Sequence, residues 1–218
     1  MFRQLDLDQY GAYTSKLDRR SAWSIGLVAA LWFALALTAG LARVYWMAPA
    51  WAIGATVWAL VASVLIAFWT WSPFRAWVLG LDLRSLVLFH TVRFVGIAFL
   101  IQYARGILPY EFAVPAGWGD IIVAVAAIGV ALHISRRAAS SRTIVHLWNW
   151  LGLIDILFAV ATALRLALAD RGSMEALTRL PLSLLPTFFV PLIIASHVVI
   201  FVRLRAGRRL AFEQGAAR

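Results

Sequence analysis

Five polar side chains, His90, Arg93, His146, Asn149 and His197, stand inside stretches of this chain that are otherwise hydrophobic, and Asp155 is the one carboxylate near the centre of such a stretch. Imidazoles can relay protons or ligate a metal or haem iron. A guanidinium and a carboxylate can pair with each other or hold a polar ligand by charge-assisted hydrogen bonds. His90 with Arg93, and His146 with Asn149, are three residues apart, which brings each pair to one face of a helix. That spacing gathers polar groups without selecting a chemistry.

Motifs of known chemistry do not narrow the choice. The chain has no phosphate-binding glycine loop, no His-Glu-x-x-His and no Gly-x-Ser-x-Gly elbow. Ser196 and His197 are adjacent in sequence, so they point to different sides of a helix and form no dyad. With no cysteine, disulfides, thiolate metal sites and cysteine nucleophiles are excluded. An enzymatic activity is not indicated, and neither a metal site nor a cofactor is expected. A weaker alternative is haem held between His90 and His197, with Arg84 and Arg203 meeting its propionates.

The elements that must position these residues follow from composition. Of 218 residues, 63% are hydrophobic and only 14% charged, far from the balance of a soluble domain. Six apolar stretches, 21–41, 51–71, 86–104, 117–134, 143–165 and 184–204, each approach the ~20 residues that cross a hydrocarbon core. They lack the alternation of barrel strands, so each is expected to be a helix. The predicted fold is an all-α, six-helix transmembrane bundle between a tail, 1–20, and a basic tail, 205–218. The first stretch follows about twenty largely polar residues, including Asp6, Asp8 and Asp18, unlike a cleaved signal with its short basic start.

The net charge of +10 is distributed unevenly. Arg3, Lys16, Arg19, Arg20, Arg75, Arg84, Arg136, Arg137, Arg142, Arg203, Arg205, Arg208, Arg209 and Arg218 fall on one side of the predicted spans. Only Arg43, Arg105, Arg165, Arg171 and Arg179 fall on the other. The positive-inside rule therefore places both termini in the cytoplasm. A basic inner rim attracts anionic lipid headgroups at about 1 kcal/mol per residue near the surface. Nucleic-acid binding is not expected, because no soluble domain presents a basic face. Arginine makes up 19 of the 20 basic residues and alanine is abundant, which points to a GC-rich bacterial genome and a bacterial plasma membrane.

Between the spans, Phe74, Trp77, Val78 and Leu81 recur at helical spacing after Pro73, predicting a short interfacial helix on the cytoplasmic side. Of 11 tryptophans, Trp23, Trp46, Trp51, Trp69, Trp71, Trp77, Trp118, Trp148 and Trp150 lie near span ends as interfacial anchors, while Trp32 and Trp58 lie deeper. The connection 105–119 is expected to be a turn with Pro115 opening the fourth span, a re-entrant segment being the alternative. The connection from Leu166 to Ser183 is expected to hold a short surface helix. Pro191 should bend the last span.

Depth follows at about 1.5 Å per residue from the cytoplasmic edge: His146 about 5 Å, His90 about 6 Å, Asn149 about 9 Å, Arg93 and His197 about 10 Å, Asp155 about 18 Å. These positions predict a polar cavity in the cytoplasmic half, with Arg93 reaching up to Asp155. Arg105, Asp120 and Arg165, with Glu111, are expected to form a solvated cluster at the outer interface.

The segments LPYEFAVPAGWGDIIVAVAA (Leu108 to Ala127), LWNWLGLIDILFAV (Leu147 to Val160) and PLSLLPTFFVPLIIASHVVIFVRL (Pro181 to Leu204) resemble small bacterial polytopic membrane proteins that are uncharacterised. The resemblance covers the second half of the chain and implies a multi-span membrane protein, with no activity attached. Three readings follow: binding or passage of a small molecule, lipid or proton; haem binding with electron transfer; and a non-catalytic partner subunit of a membrane complex. A homo-oligomer or a membrane partner protein is compatible with all three.

Overall fold

The computed structural model describes residues 19–135 and 141–216. The tail Met1–Asp18 and the basic pair Arg136 and Arg137 lie outside the described residues, as does Arg218. Helix α1 is Arg19–Leu41, α2 is Ala50–Thr70 and α3 is the short Ser72–Gly80. Helix α4, Leu83–Ala104, winds through its middle, Phe89–Val95, as 3₁₀ helix. Helices α5, Tyr110–Ser135, and α6, Ser141–Ala169, follow; α7, Val190–Ala216, is preceded by one π-helical turn, Leu185–Phe189. Among the described residues there is no strand.

Six of these helices are long and apolar enough to cross a membrane: α1, α2, α4, α5, α6 and α7. Their large apolar side chains face outward as well as inward. Leu27, Ile66, Ile122, Leu151 and Phe158 are all exposed, a pattern that is costly in water and natural in lipid. The protein is an integral, multi-pass membrane protein.

One end of the bundle, called here the basic face, carries α3 and the described residues Arg75, Arg84, Arg142, Arg203 and Arg205. Here α3 confirms the short helix expected after Pro73. Its ring edge stacks in series, Trp71 on Phe74 at 5.9 Å and Phe74 on Trp77 at 6.2 Å. Arg203 from α7 donates to the Leu81 carbonyl just past the end of α3, so this arginine is held by protein backbone.

At the opposite face the connections are tight. Gly106, with φ 68°, turns the chain after α4, and the Ile107 amide donates back to the Gln102 carbonyl at 2.9 Å, a Schellman closure. Helix α5 then starts at Tyr110, so Phe112–Pro115 is helical and Pro115 lies within the helix instead of opening it. Phe112, Ala113 and Ala116 are buried by that early start, and the segment is neither a lid nor a re-entrant loop. The expected surface helix after α6 is a 3₁₀ turn, Arg171–Thr178, capped by Asp170, whose carboxylate accepts from the Gly172 amide at 3.0 Å.

Pro191 is accommodated by two devices. The π turn widens the helix just before it, and the Thr187 carbonyl, one α-turn earlier, accepts from Trp32 Nε1 at 2.9 Å. The same contact docks α1, with Trp32 and Phe33 both against the Phe188 ring at 4.9 and 5.2 Å. Trp32 is thus a deep anchor for a proline-freed carbonyl.

Candidate functional site

One close helix crossing in the bundle prepares the site. At Gly96 of α4 and Gly117 of α5, a Cβ on the first would stand 2.3 Å from the Gly117 carbonyl oxygen, and a Cβ on the second 2.9 Å from that of Gly96. Small residues of this kind let helix backbones approach within lipid, where packing rather than hydrophobic exclusion drives association. The close approach of α5 to α4 brings Asp120 within reach of Arg93.

Arg93 is fully buried and its guanidinium is divided among three acceptors. Nε donates to Asp120 Oδ1 at 2.6 Å, Nη1 to the Gly152 carbonyl at 2.9 Å, and Nη2 to Asp155 Oδ2. The residues Arg93 and Asp155 foreseen as a pair are therefore brought together, joined by Asp120. The expectation for Asp120 was wrong: it is 3% exposed and part of this triad, whereas Arg105, Glu111 and Arg165 are exposed at the opposite face. Asp120 lies ten residues into a helix that starts seven residues earlier than expected, which carries it from the interface to mid-bundle.

The start of α4 at Leu83, three residues before the expected span, accounts for most of the depth of Arg93, and its winding for the rest. Its 3₁₀ middle rises about 2.0 Å per residue instead of 1.5 Å, placing Arg93 about 17 Å from Leu83. Asp155 is about 20 Å from Arg142 on α6. The two groups are nearly level, and the 8 Å gap inferred from the sequence closes.

Toward the basic face lies a second polar group. His90 and His197 are fully buried with ring centroids 4.2 Å apart, and the Trp148 ring stands at 5.0 Å from the first and 5.9 Å from the second. Asn149 is bidentate to one neighbour. Its Nδ2 donates to the His197 carbonyl at 3.0 Å and its Oδ1 meets His197 Nδ1 at 2.8 Å. The amide orientation makes Oδ1 the acceptor, so His197 carries its proton on Nδ1. Ser196 directs its hydroxyl to the Ile193 carbonyl at 2.8 Å, so His90 Nε2 donates to Ser196 Oγ at 3.1 Å. Each neutral imidazole is left with one lone pair, on His90 Nδ1 and His197 Nε2, and neither atom has a hydrogen-bond partner among the described residues.

His146 is not a member of this layer. It is exposed, accepting at Nε2 from Trp150 Nε1 at 3.2 Å and lying against Phe201. Three residues along an α-helix turn it about 60° from a full revolution away from Asn149, enough to separate the inner from the outer face. Trp148, in contrast, is buried beside the histidines, with Nε1 donating to the Val123 carbonyl at 3.2 Å, and is no interfacial anchor.

In the basic half, where a polar cavity is expected, the described residues beside the polar layer are apolar. An apolar cluster that includes Phe68, Val87, Ala127, Val145 and Ile200 closes the polar layer on that side. A cavity of about 110 Å³ lies in the other half. Ile53, Val57, Phe99, Ala163 and Leu185 form its walls, Tyr45 and Arg171 stand at its mouth, and Arg93 and Asp120 form its floor.

A haem between His90 and His197 does not fit. Iron–nitrogen bonds of about 2 Å on either side of a porphyrin would hold the ring centroids roughly 6 Å apart. At 4.2 Å the rings are in contact. Among the described residues no group of three or more His, Cys, Asp or Glu is placed to hold a metal ion.

Fold and site together define a six-span helical membrane protein with an ion triad at mid-bundle. The chain belongs to the family of the domain of unknown function DUF8737, whose profile matches residues 49–205. That match takes in α2 to the last turns of the membrane-spanning part of α7, and hence every residue of the triad and of the histidine layer. No curated protein and no solved structure matches the chain.

Proposed function

We propose that the protein binds a small amphiphile, a molecule with an alkyl-like body and a hydrogen-bond-donating head, in the cavity that ends on Arg93 and Asp120. The observation that carries this reading is the contrast between apolar walls and a charged floor, the arrangement of most small-molecule sites. Shape narrows the body. A cavity of about 150 Å³ accepts benzene, and this one, at about 110 Å³, is smaller. Its walls nevertheless run along α6 from Ala167 to Ile156, about 16 Å. Such a slot suits a single chain better than a ring system.

Charge narrows the head. Arg93 already faces two carboxylates, so an anionic head would add like charge at the floor. An alcohol or amine meets an acceptor in Asp120. The uneven distribution of arginine supports a basic face turned to the cytoplasm, with anionic headgroups around it and the cavity mouth on the far side of a bacterial plasma membrane.

Thermal unfolding of the purified protein in detergent, with a short-chain alcohol, amine or fatty acid of equal length, tests the reading. A ligand that binds only the folded state raises Tm. The alcohol and the amine should raise it in the native chain and fail to do so in Asp120→Asn, with the fatty acid inert. Equal stabilisation by the fatty acid, or none by any of the three, overturns the proposal.

A further inference from the structure

Two carboxylates face one guanidinium at mid-bundle, and among the described residues the groups around them supply no second positive charge. Helix α2 brings no titratable side chain to α6, α7 brings His197, and α4 brings His90 and Arg93. On α5, Asp120 is the titratable group at this level; Glu111 lies near one end of the helix and His133 near the other. The 3₁₀ turn beyond α6 holds its charges, Arg171 and Glu175, at the opposite face.

With both histidines neutral, the layer carries one excess negative charge. A lone charge at such depth costs several kcal/mol by most scales, so the layer must hold a further proton or cation.

We propose that this extra proton resides on Asp155, whose carboxyl reaches the lipid-facing flank of the bundle. The histidines are poor candidates. Protonating His90 Nδ1 or His197 Nε2 would create a buried N–H with no acceptor, since neither atom has a partner. Asp120 is 3% exposed at the cavity floor and does not reach the lipid flank, its Oδ1 engaged with Arg93 Nε at 2.6 Å.

Asp155 differs from Asp120 in access. Its side chain is 21% exposed, and it stands beside the exposed Leu151 and Phe158 of its own helix. One oxygen, Oδ2, accepts from Arg93, while Oδ1 lies against the bare backbone of Gly119, where a Cβ would be 1.9 Å away. The glycine is a notch, flanked on α5 by the exposed Trp118 and Ile122, through which the carboxyl reaches the outside of the bundle at mid-membrane. Protonation changes one carboxylate into a carboxylic acid and leaves an Arg93–Asp120 pair of zero net charge.

A hydrophobic carbodiimide dissolved in the bilayer tests it. The reagent adds a protonated carboxyl across its C=N bond, the acid proton passing to nitrogen and the oxygen to carbon, and the adduct rearranges to a stable N-acylurea. The full-length protein in liposomes is treated at several pH values, digested, and mapped by mass spectrometry.

The adduct is expected on Asp155, absent from Asp120, and lost as pH rises. Because the native chain is mapped, the result does not rely on a variant that folds. An infrared C=O stretching band of a protonated carboxyl at neutral pH, absent in Asp155→Asn, is the second readout. Labelling of Asp120 in place of Asp155, or an unlabelled Asp155 at every pH while a reference lipid-facing carboxyl reacts, overturns the proposal.

Discussion

Gly119 lies so close to Asp155 that any side chain on it would overlap the carboxylate: an added Cβ would stand 1.9 Å from Oδ1. The contact is with a carboxyl group already bonded to Arg93, which cannot swing aside without breaking the triad. Gly119→Ala should therefore lower stability by the ~1–3 kcal/mol of an overpacked core site. Gly129→Ala on the same helix, where nothing lies within 4 Å, should be silent. Melting of both variants in detergent checks the contrast, and equal behaviour would contradict the notch.

Removing Arg93 strands the Asp120 carboxylate and takes a donor from the Asp155 carboxyl. Arg93→Leu should cost about 3–5 kcal/mol, the usual penalty for leaving a buried charge unpaired. Combining it with Asp120→Asn and Asp155→Asn should restore much of that loss, because the three groups form one network and their effects do not add. Chemical denaturation of the single, double and triple variants reads the coupling. Additive losses would mean that the triad is not a unit.

The two polar residues three apart on α6 should respond oppositely to the same change. His146 faces outward, so His146→Leu is expected to stay within about 0.5 kcal/mol. Asn149→Leu strips both hydrogen bonds from His197 and should cost about 1–3 kcal/mol per group left unsatisfied. Thermal melts of the two variants side by side decide this, with similar melting temperatures as the adverse outcome.

Trp32 and Pro191 should be coupled although they never touch. Trp32→Phe leaves the Thr187 carbonyl bare at a cost of about 1 kcal/mol. Pro191→Ala supplies a backbone N–H one turn on, so in that background the cost of Trp32→Phe should shrink. A double-mutant cycle measures it, and a coupling energy of zero would refute the substitution of one donor for the other.

Filling the cavity should spare the fold and remove the ligand. Ala163 lines the wall and is only partly buried, so Ala163→Leu has room to settle into the slot. The variant is expected to melt near the native temperature and to lose the alcohol-dependent shift. Retention of that shift would place the ligand elsewhere.

How far the sequence foretold all this depends on which residue is considered. The six spans were legible because lipid demands long apolar runs, and their ends moved by only a few residues where loops were short. Arg93 and Asp155 announced themselves as charges in apolar surroundings.

Asp120 was missed for a physical reason. Its depth depends on where α5 begins, and Pro115 reads as a helix start when it is in fact carried inside the first turns. The only available signal was the Gly-x-Gly-Asp run at Gly117–Asp120, small residues beside a carboxylate. His146 was misjudged because three residues on an α-helix fall short of a full turn, so proximity in sequence did not survive as a shared face. The position of the cavity was not legible at all, since it is a void among five membrane-spanning helices and the turns beside them, and no residue type marks a void.

The overwound stretch Phe89–Val95 has a consequence for timing as well as for depth. At three residues per turn His90 and Arg93 are stacked in one column, whereas in α winding they would be about 60° apart and Arg93 about 1.5 Å lower. A change of one hydrogen-bond step in that stretch would therefore turn Arg93 like a key, withdrawing it from Asp120 and Asp155 together while His90 kept its place. The backbone pitch of these seven residues is what puts His90 and Arg93 on one face of α4.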